Sequence, residues 1–148
     1  MPKIRTGTID EVIRLTQLLP EFDQPYRKEI YEERLQGVAH LILVAQIKEE
    51  VVACKLGYER TQDGSFYSWI GGVLPGFRRR GLARKLAEAQ EEWARAQAYE
   101  YIRFKTRNRH SEMLLFALRR GFYLIDFEPY EDIAESRIWL EKKLVQFE

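Results

Sequence analysis

The chain has 148 residues, 45% of them hydrophobic and 32% charged, with a formal net charge of +1. This balance fits a soluble domain spanning residues 1–148 with its own core, and argues against a protein whose whole surface grips nucleic acid. No apolar run is long enough to cross a bilayer, no signal-like stretch follows Met1-Pro2-Lys3, and a single cysteine, Cys54, suits a reducing cytoplasm.

In chain order, Ile4-Arg5 reads as a short strand. Thr8-Ile9-Asp10-Glu11 is a capping-box pattern, followed by Val12, Leu15 and Leu19 at helical spacing. Pro20 and Pro25 bracket a break, and Tyr26 to Leu35 is predicted as a charged helix ended by Gly37. Leu41 to Ile47, the turn Lys48-Glu49-Glu50, and Val51 to Tyr58 form a hairpin by pattern. Thr61-Gln62-Asp63-Gly64 supplies the next turn, and Ser65 to Leu74 the next strand. Leu82, Leu86, Ala89 and Trp93 mark an amphipathic helix. A strand from Tyr101 to Lys105, a helix from Ser111 to Arg120 capped by Gly121, and strands Phe122 to Phe127 and Arg137 to Leu144 complete the chain. The order β-α-α-β-β-β-α-β-α-β-β predicts an α/β protein with a mixed sheet covered on both faces. The strand ending at Leu74 and that from Tyr101 are expected to lie parallel, joined by a right-handed crossover.

The most informative stretch is Val73-Leu74-Pro75-Gly76-Phe77-Arg78-Arg79-Arg80-Gly81-Leu82-Ala83. A strand ends at a proline, and a basic, glycine-bearing turn leads straight into a helix. Unpaired N–H groups and the dipole at a helix start favour an anion, so phosphate or pyrophosphate is the expected ligand. A solvated basic helix start, or a nucleic-acid patch from Arg78 to Lys85, is the alternative reading of the arginines alone. Gly71-Gly72 inside a strand marks a bulge, a close approach of other backbone, or packing against a large neighbour such as Trp69 or Trp93.

Arg78-Arg79-Arg80-Gly81-Leu82-Ala83 matches an Arg/Gln-x-x-Gly-x-Gly/Ala signature in its strand–turn–helix setting. Downstream, Thr106-Arg107-Asn108, Met113-Leu114 and Gly121-Phe122 follow a second pattern. With these motifs and the element order, the chain resembles the GNAT superfamily of acetyl-CoA-dependent N-acetyltransferases over nearly its whole length. The resemblance implies the acyl-CoA N-acyltransferase fold, a central twisted mixed sheet flanked by about four helices. It implies acetyl-CoA as cosubstrate, with the pyrophosphate cradled at Arg79, Arg80, Gly81, Leu82 and Ala83. The side chains of Arg78, Arg79, Arg80, Arg84 and Lys85 would add positive field, one of them reaching the ribose 3′-phosphate. By the same resemblance Gly72, Val73 and Leu74 hold the pantetheine arm, and Asn108 holds a strand end or the cofactor. Asn108 reads equally well as a helix cap.

Two departures stand out. Many members carry a tyrosine four residues before the Gly of Gly-Phe, as the acid for the leaving thiolate; here the position is Ala117. Some members place a glutamate base where this chain has Tyr67, so Tyr67 and Ser68 are the catalytic candidates, as the lining of a water path. Glu21, Asp23 and Glu29 are further carboxylates that could face the acceptor.

His40, His110 and Cys54 offer no metal-ligand spacing, and no nucleophilic triad order is recoverable. The expected activity is direct transfer of an acetyl group to a primary amine, on a small molecule or a peptide, without a metal. A CoA or acetyl-CoA sensor with little catalysis is the alternative that Ala117 motivates. No membrane or nucleic-acid partner is expected, and the last strands could pair the chain as a homodimer.

Overall fold

The structure, a computed structural model, describes residues 1–145. Its strands form one seven-stranded mixed sheet in the order β1-β2-β3-β4-β5-β7-β6. By compactness the chain divides into two units, Met1–Glu59 with Ser68–Trp93, and Arg60–Tyr67 with the chain from Ala94 onward.

The first unit contains β1 (Lys3–Thr6), α1 (Ile9–Leu18), α2 (Lys28–Leu35), β2 (His40–Ile47) and β3 (Glu50–Tyr58). It also holds most of β4 (Ser65–Val73) and of α3 (Leu82–Ala96). The capping box at Thr8 forms: its hydroxyl accepts from the Glu11 N–H, and the Glu11 carboxylate accepts from the Thr8 N–H. Arg5 clamps the same carboxylate at 2.6 Å, which holds it below the usual carboxylate range. Val12 and Leu15 of α1, and Leu19 just beyond it, are buried; α1 packs on β2, β3 and α2. β2 and β3 pair antiparallel through Ile47↔Glu50, leaving Lys48-Glu49 as a two-residue turn with Lys48 left-handed at φ 56°. Cys54 lies in this core, where burial pushes its thiol up to about 12.

α2 starts at Lys28 rather than at Tyr26, because Arg27 is extended (φ −78°, ψ 157°) after Pro25. Freed from the helix, the Tyr26 ring lies 6.1 Å from that of Tyr31 and 5.2 Å from that of Trp69.

The second unit contains β5 (Tyr101–Arg107), α4 (Ser111–Arg119), β6 (Tyr123–Glu128), β7 (Arg137–Lys143) and the first residues of β4. β4 and β5 are parallel, as expected, with Ser65↔Tyr101, Phe66↔Ile102 and Tyr67↔Arg103. β5 runs two residues past its predicted end because its antiparallel pairing with β7 continues to Arg107↔Arg137. After α4, Gly121 takes φ 92°, and the Phe122 N–H turns back to the Ala117 carbonyl, which delays β6 to Tyr123. Short 3₁₀ turns at Pro75–Phe77 and Ile133–Glu135 carry no periodicity and escape a sequence reading.

The turn before β4 is tied into the second unit by charge. Asp63 accepts from the Ser65 hydroxyl at 2.5 Å, the Ser65 N–H at 3.1 Å and the Thr61 hydroxyl at 3.0 Å. Arg103 reaches Asp63 at 2.6 Å and Glu141 at 2.6 Å, binding the turn to β5 and β7. The Ser65 hydroxyl, and then Arg103, hold the Asp63 carboxyl far below its ordinary value. A carboxyl depressed in the folded state stabilises the fold above its unfolded pKa, and that gain is lost as pH falls toward the folded value. Asp63→Asn is therefore expected to cost about 1 kcal/mol near neutral pH, given its exposure, and progressively less below about pH 4. Urea midpoints of both proteins across that range check this; a gap that widens in acid overturns it.

Candidate active site

The strand–turn–helix stretch lies wholly in the first unit. β4 ends with the Leu74 N–H donating to the Val52 carbonyl at 2.9 Å. Pro75–Phe77 form a 3₁₀ turn closed by the Phe77 N–H on the Leu74 carbonyl at 2.9 Å, and Arg78 is extended. Arg79 is then left-handed at φ 64° and Gly81 at φ 79°, on either side of Arg80, which is not. Alternation of hand turns successive N–H groups toward a common side and makes an anion-binding concavity.

The first α3-turn N–H with an intramolecular acceptor is that of Lys85, on the Gly81 carbonyl at 3.0 Å. The main-chain N–H groups from Arg79 to Arg84 have none among the described residues. A buried helix start would not tolerate so many orphans, but Arg79, Arg80, Ala83 and Arg84 are exposed. These donors lie at the positive end of a four-turn helix, where the dipole favours an anion. Gly81 is required for a reason other than clearance. An added Cβ there would meet only the Arg84 guanidinium, at 3.5 Å, whereas φ 79° strains any other residue.

The loop arginines do not share one role. Arg78 donates from Nε to the Val73 carbonyl at 2.9 Å, and its Nη2 pairs with Glu21 in a short ion pair. Its side chain thus fastens the loop to the strand end, and Glu21 is tied down by it. The Arg80 guanidinium lies 5.1 Å over the Phe77 ring.

β4 delivers Gly72, Val73 and Leu74 through an irregularity. Trp69 packs on Tyr31 of α2, while Gly72 faces Leu19 at the end of α1, a helix packed on α2. Residues three apart on a regular strand point to opposite faces, so an extra residue sits within Ile70-Gly71; Gly71 faces Lys55 instead. The close approach that Gly72 permits is to Leu19, not to Trp69 or Trp93: a Cβ would stand 2.5 Å from Leu19 Cδ1. Since the Leu74 N–H points to β3, alternation points that of Val73 away from β3.

In the second unit, Tyr67 is buried with its ring 5.8 Å from Trp139 and the Arg60 guanidinium 4.8 Å over it. Ser68, in the first unit, is also buried. Asn108 does not cap α4, whose N-cap position is His110; its side-chain amide donates to the Ile133 carbonyl at 3.3 Å. Ala117 is buried in α4 and offers no hydroxyl. Among the described residues no group of three or more His, Cys, Asp or Glu is placed to hold a metal ion. No helix is long and apolar enough to cross a membrane. The pairing of Arg34 with Trp69 carries no sequence signal, because a charged helix does not show which of its arginines meets a strand far along the chain.

The model of the acetyltransferase (GNAT) family matches residues 10–122, a span that includes the cradle, β4 and Gly121-Phe122. The chain belongs to the GNAT acetyltransferase family. No curated protein sequence matches it. Among solved structures it is similar to the ribosomal-protein-S18-alanine N-acetyltransferase of Escherichia coli, at 15% identity and TM-score 0.84, covering 100% of this chain and 97% of that one. It is also similar to Ard1 of Thermoplasma volcanium, at 17% identity and TM-score 0.82, covering 98% and 99%. A GNAT family acetyltransferase of Elizabethkingia anophelis with acetyl-CoA bound shares 18% identity at TM-score 0.74, covering 97% and 98%. At these identities the likeness is one of fold, and the GNAT acyl-CoA N-acyltransferase architecture is the one adopted.

The contact under Gly72 is testable. Gly72→Ala is expected to destabilise the protein by about 1–3 kcal/mol through overpacking on Leu19. In a Leu19→Ala background the same change should cost far less, a coupling that a double-mutant cycle in urea measures. Additive effects would show that Leu19 is not what excludes the side chain.

Proposed function

We propose that this GNAT member transfers the acetyl group of acetyl-CoA to a primary amine of a small molecule or peptide, by direct attack in a ternary complex. The observation that carries the reading is the run of unpartnered N–H groups from Arg79 to Arg84 at the start of α3, in a family whose solved relatives bind CoA or acetyl-CoA. Those donors fit a pyrophosphate, which needs several converging N–H groups and no side chain in the way. When bound, acetyl-CoA supplies an acetyl group already activated as a thioester.

The residues of the chain then bind, orient and stabilise charge. The N–H groups of Arg79, Arg80, Gly81, Leu82 and Ala83 hold the pyrophosphate, and Arg80 and Arg84 add field. Arg78 acts by tying the loop to Val73 and Glu21. The main chain of Gly72–Leu74 aligns the pantetheine arm as an added strand would. Of these three, Val73 is assigned the N–H that stabilises charge developing on the acyl oxygen, because those of Gly72 and Leu74 run toward β3. Positioning two reactants can supply about 7–11 kcal/mol of the barrier, so the chemistry does not hinge on one acid or base. The amine must be neutral to attack, and Tyr67 is assigned to pass its proton to water, whereas Ser68, next to it on β4, points to the opposite face. Asn108 acts indirectly, by holding the Ile133 turn.

Ala117, buried and without a hydroxyl, favours a second reading in which the chain senses acetyl-CoA and turns over little. A missing acid costs about 10²–10⁴ in rate, which slows the transfer without forbidding it. Calorimetry with acetyl-CoA is expected to show binding that Gly81→Glu abolishes, since the change combines left-handed strain with a carboxylate in the cradle. No binding to the wild type at millimolar acetyl-CoA overturns both readings. A thiol-release assay with polyamines, amino acids, aminoglycosides and peptide N-termini is expected to show turnover; binding without turnover across that panel favours the sensor.

A further inference from the structure

The last turn of α2 places Arg34 in an unusual setting. It shares a helix face with Tyr31, three residues earlier, and its guanidinium carbon lies 4.7 Å from the Trp69 ring centre and 5.3 Å from that of Tyr26. The rings of Tyr26, Tyr31 and Tyr58 surround Trp69 at 5.0 to 5.4 Å. Arg34 is only half-exposed, and among the described residues it makes no hydrogen bond and no ion pair. Arg5 and Arg78 of the same unit, by contrast, are each paired with a carboxylate, Glu11 and Glu21.

A guanidinium held over aromatic faces keeps its charge and its flat fork of N–H donors while losing much of its freedom. Five donors without an acceptor, partly withdrawn from water, form a ready receptor for a planar anion. The rings cannot serve as an open cage for a cationic ligand, because Arg34 already fills their faces. The residues that follow Trp69 on β4 are Ile70, Gly71 and then Gly72-Val73, where the acetyl group would be presented. Three residues of a regular strand span roughly 10 Å, and the extra residue within Ile70-Gly71 makes this an upper bound.

We infer that Arg34 anchors a carboxylate on the acceptor, so that the substrate is an amine carrying a carboxylate within roughly 10 Å of its nitrogen. This inference rests on the acetyltransferase reading above and names the acceptor class for it. A free C-terminal carboxylate of a short peptide and an acidic side chain near a peptide N-terminus both have this chemistry. The aromatic walls around Trp69 suit the apolar stem between the two groups.

The test uses the full chain saturated with CoA, so that no turnover intervenes, titrated with triglycine, triglycinamide and glycyl-glycyl-glutamate amide. Triglycine is expected to bind about ten- to a hundredfold more tightly than triglycinamide, the worth of one charge-assisted contact. The glutamate peptide distinguishes a side-chain carboxylate from a terminal one, and tight binding of either supports the inference. Arg34→Gln is expected to bring the ratio to about one and leave CoA affinity unchanged, while Arg34→Lys keeps part of it. A wild type that binds neither carboxylate peptide more tightly than triglycinamide, a preference that survives Arg34→Gln, or failure of both carboxylate peptides to bind at millimolar concentration overturns the inference. Tighter binding of O-phosphoethanolamine than of either peptide would reassign the anchor to phosphate and overturn it as well. Loss of CoA binding by the wild type would instead strike the acetyltransferase reading, and in the same titration.

Discussion

A helix that begins with donors facing water is the constraint on which the rest of the first unit depends. From Arg79 to Arg84 the main chain offers N–H groups without an acceptor of its own, and two left-handed residues hold them in that state. Such a start is costly unless it stays wet or meets an anion, so its surroundings must keep it open. Arg78 does this from one side, spending its guanidinium on the Val73 carbonyl and Glu21. Phe77 does it from another, closing the 3₁₀ turn and lying under Arg80. The basic character of the loop is thus divided between fastening and field.

β4 changes its task residue by residue. Ser65 to Tyr67 pair with β5, Trp69 meets α2, Ile70-Gly71 takes up an extra residue, and Gly72 slides beneath Leu19. A regular strand would have turned Gly72 away from α1. The irregularity sets which face each later residue presents and leaves the Val73 N–H pointing away from β3. Geometry of this sort makes a strand end usable for binding, because its hydrogen-bonding groups are not all consumed by neighbours.

Much of this was legible in the residues. Element order, the parallel relation of β4 and β5 and the capping box follow from periodicity and from local residue chemistry, which act over a few positions. Gly81 was recognised through its motif, but its necessity is conformational rather than steric, and no letter code distinguishes those. What could not be read depends on partners far along the chain. Glu21 stands 57 positions from Arg78, and Ile133 stands 25 from Asn108. The arginine-rich run reads as a common source of positive field, and Asn108 as a helix cap or a strand or cofactor contact, because sequence shows the donor without its acceptor. Tyr26 fits a helical pattern, yet the extended Arg27 releases it to the aromatic cluster. The charged α2 likewise gave no sign that one arginine faces inward.

The burial of Ala117 bears on how this chain can change. The residue is 2% exposed, and its carbonyl receives the N–H groups of Arg120 and Phe122 that finish α4. A tyrosine introduced at so buried a position would overpack its surroundings, at about 1–3 kcal/mol or more. For a domain stable by only about 5–15 kcal/mol, that is a large step. A tyrosine at this position would therefore need neighbouring side chains to shrink, a matter of several coupled substitutions rather than one.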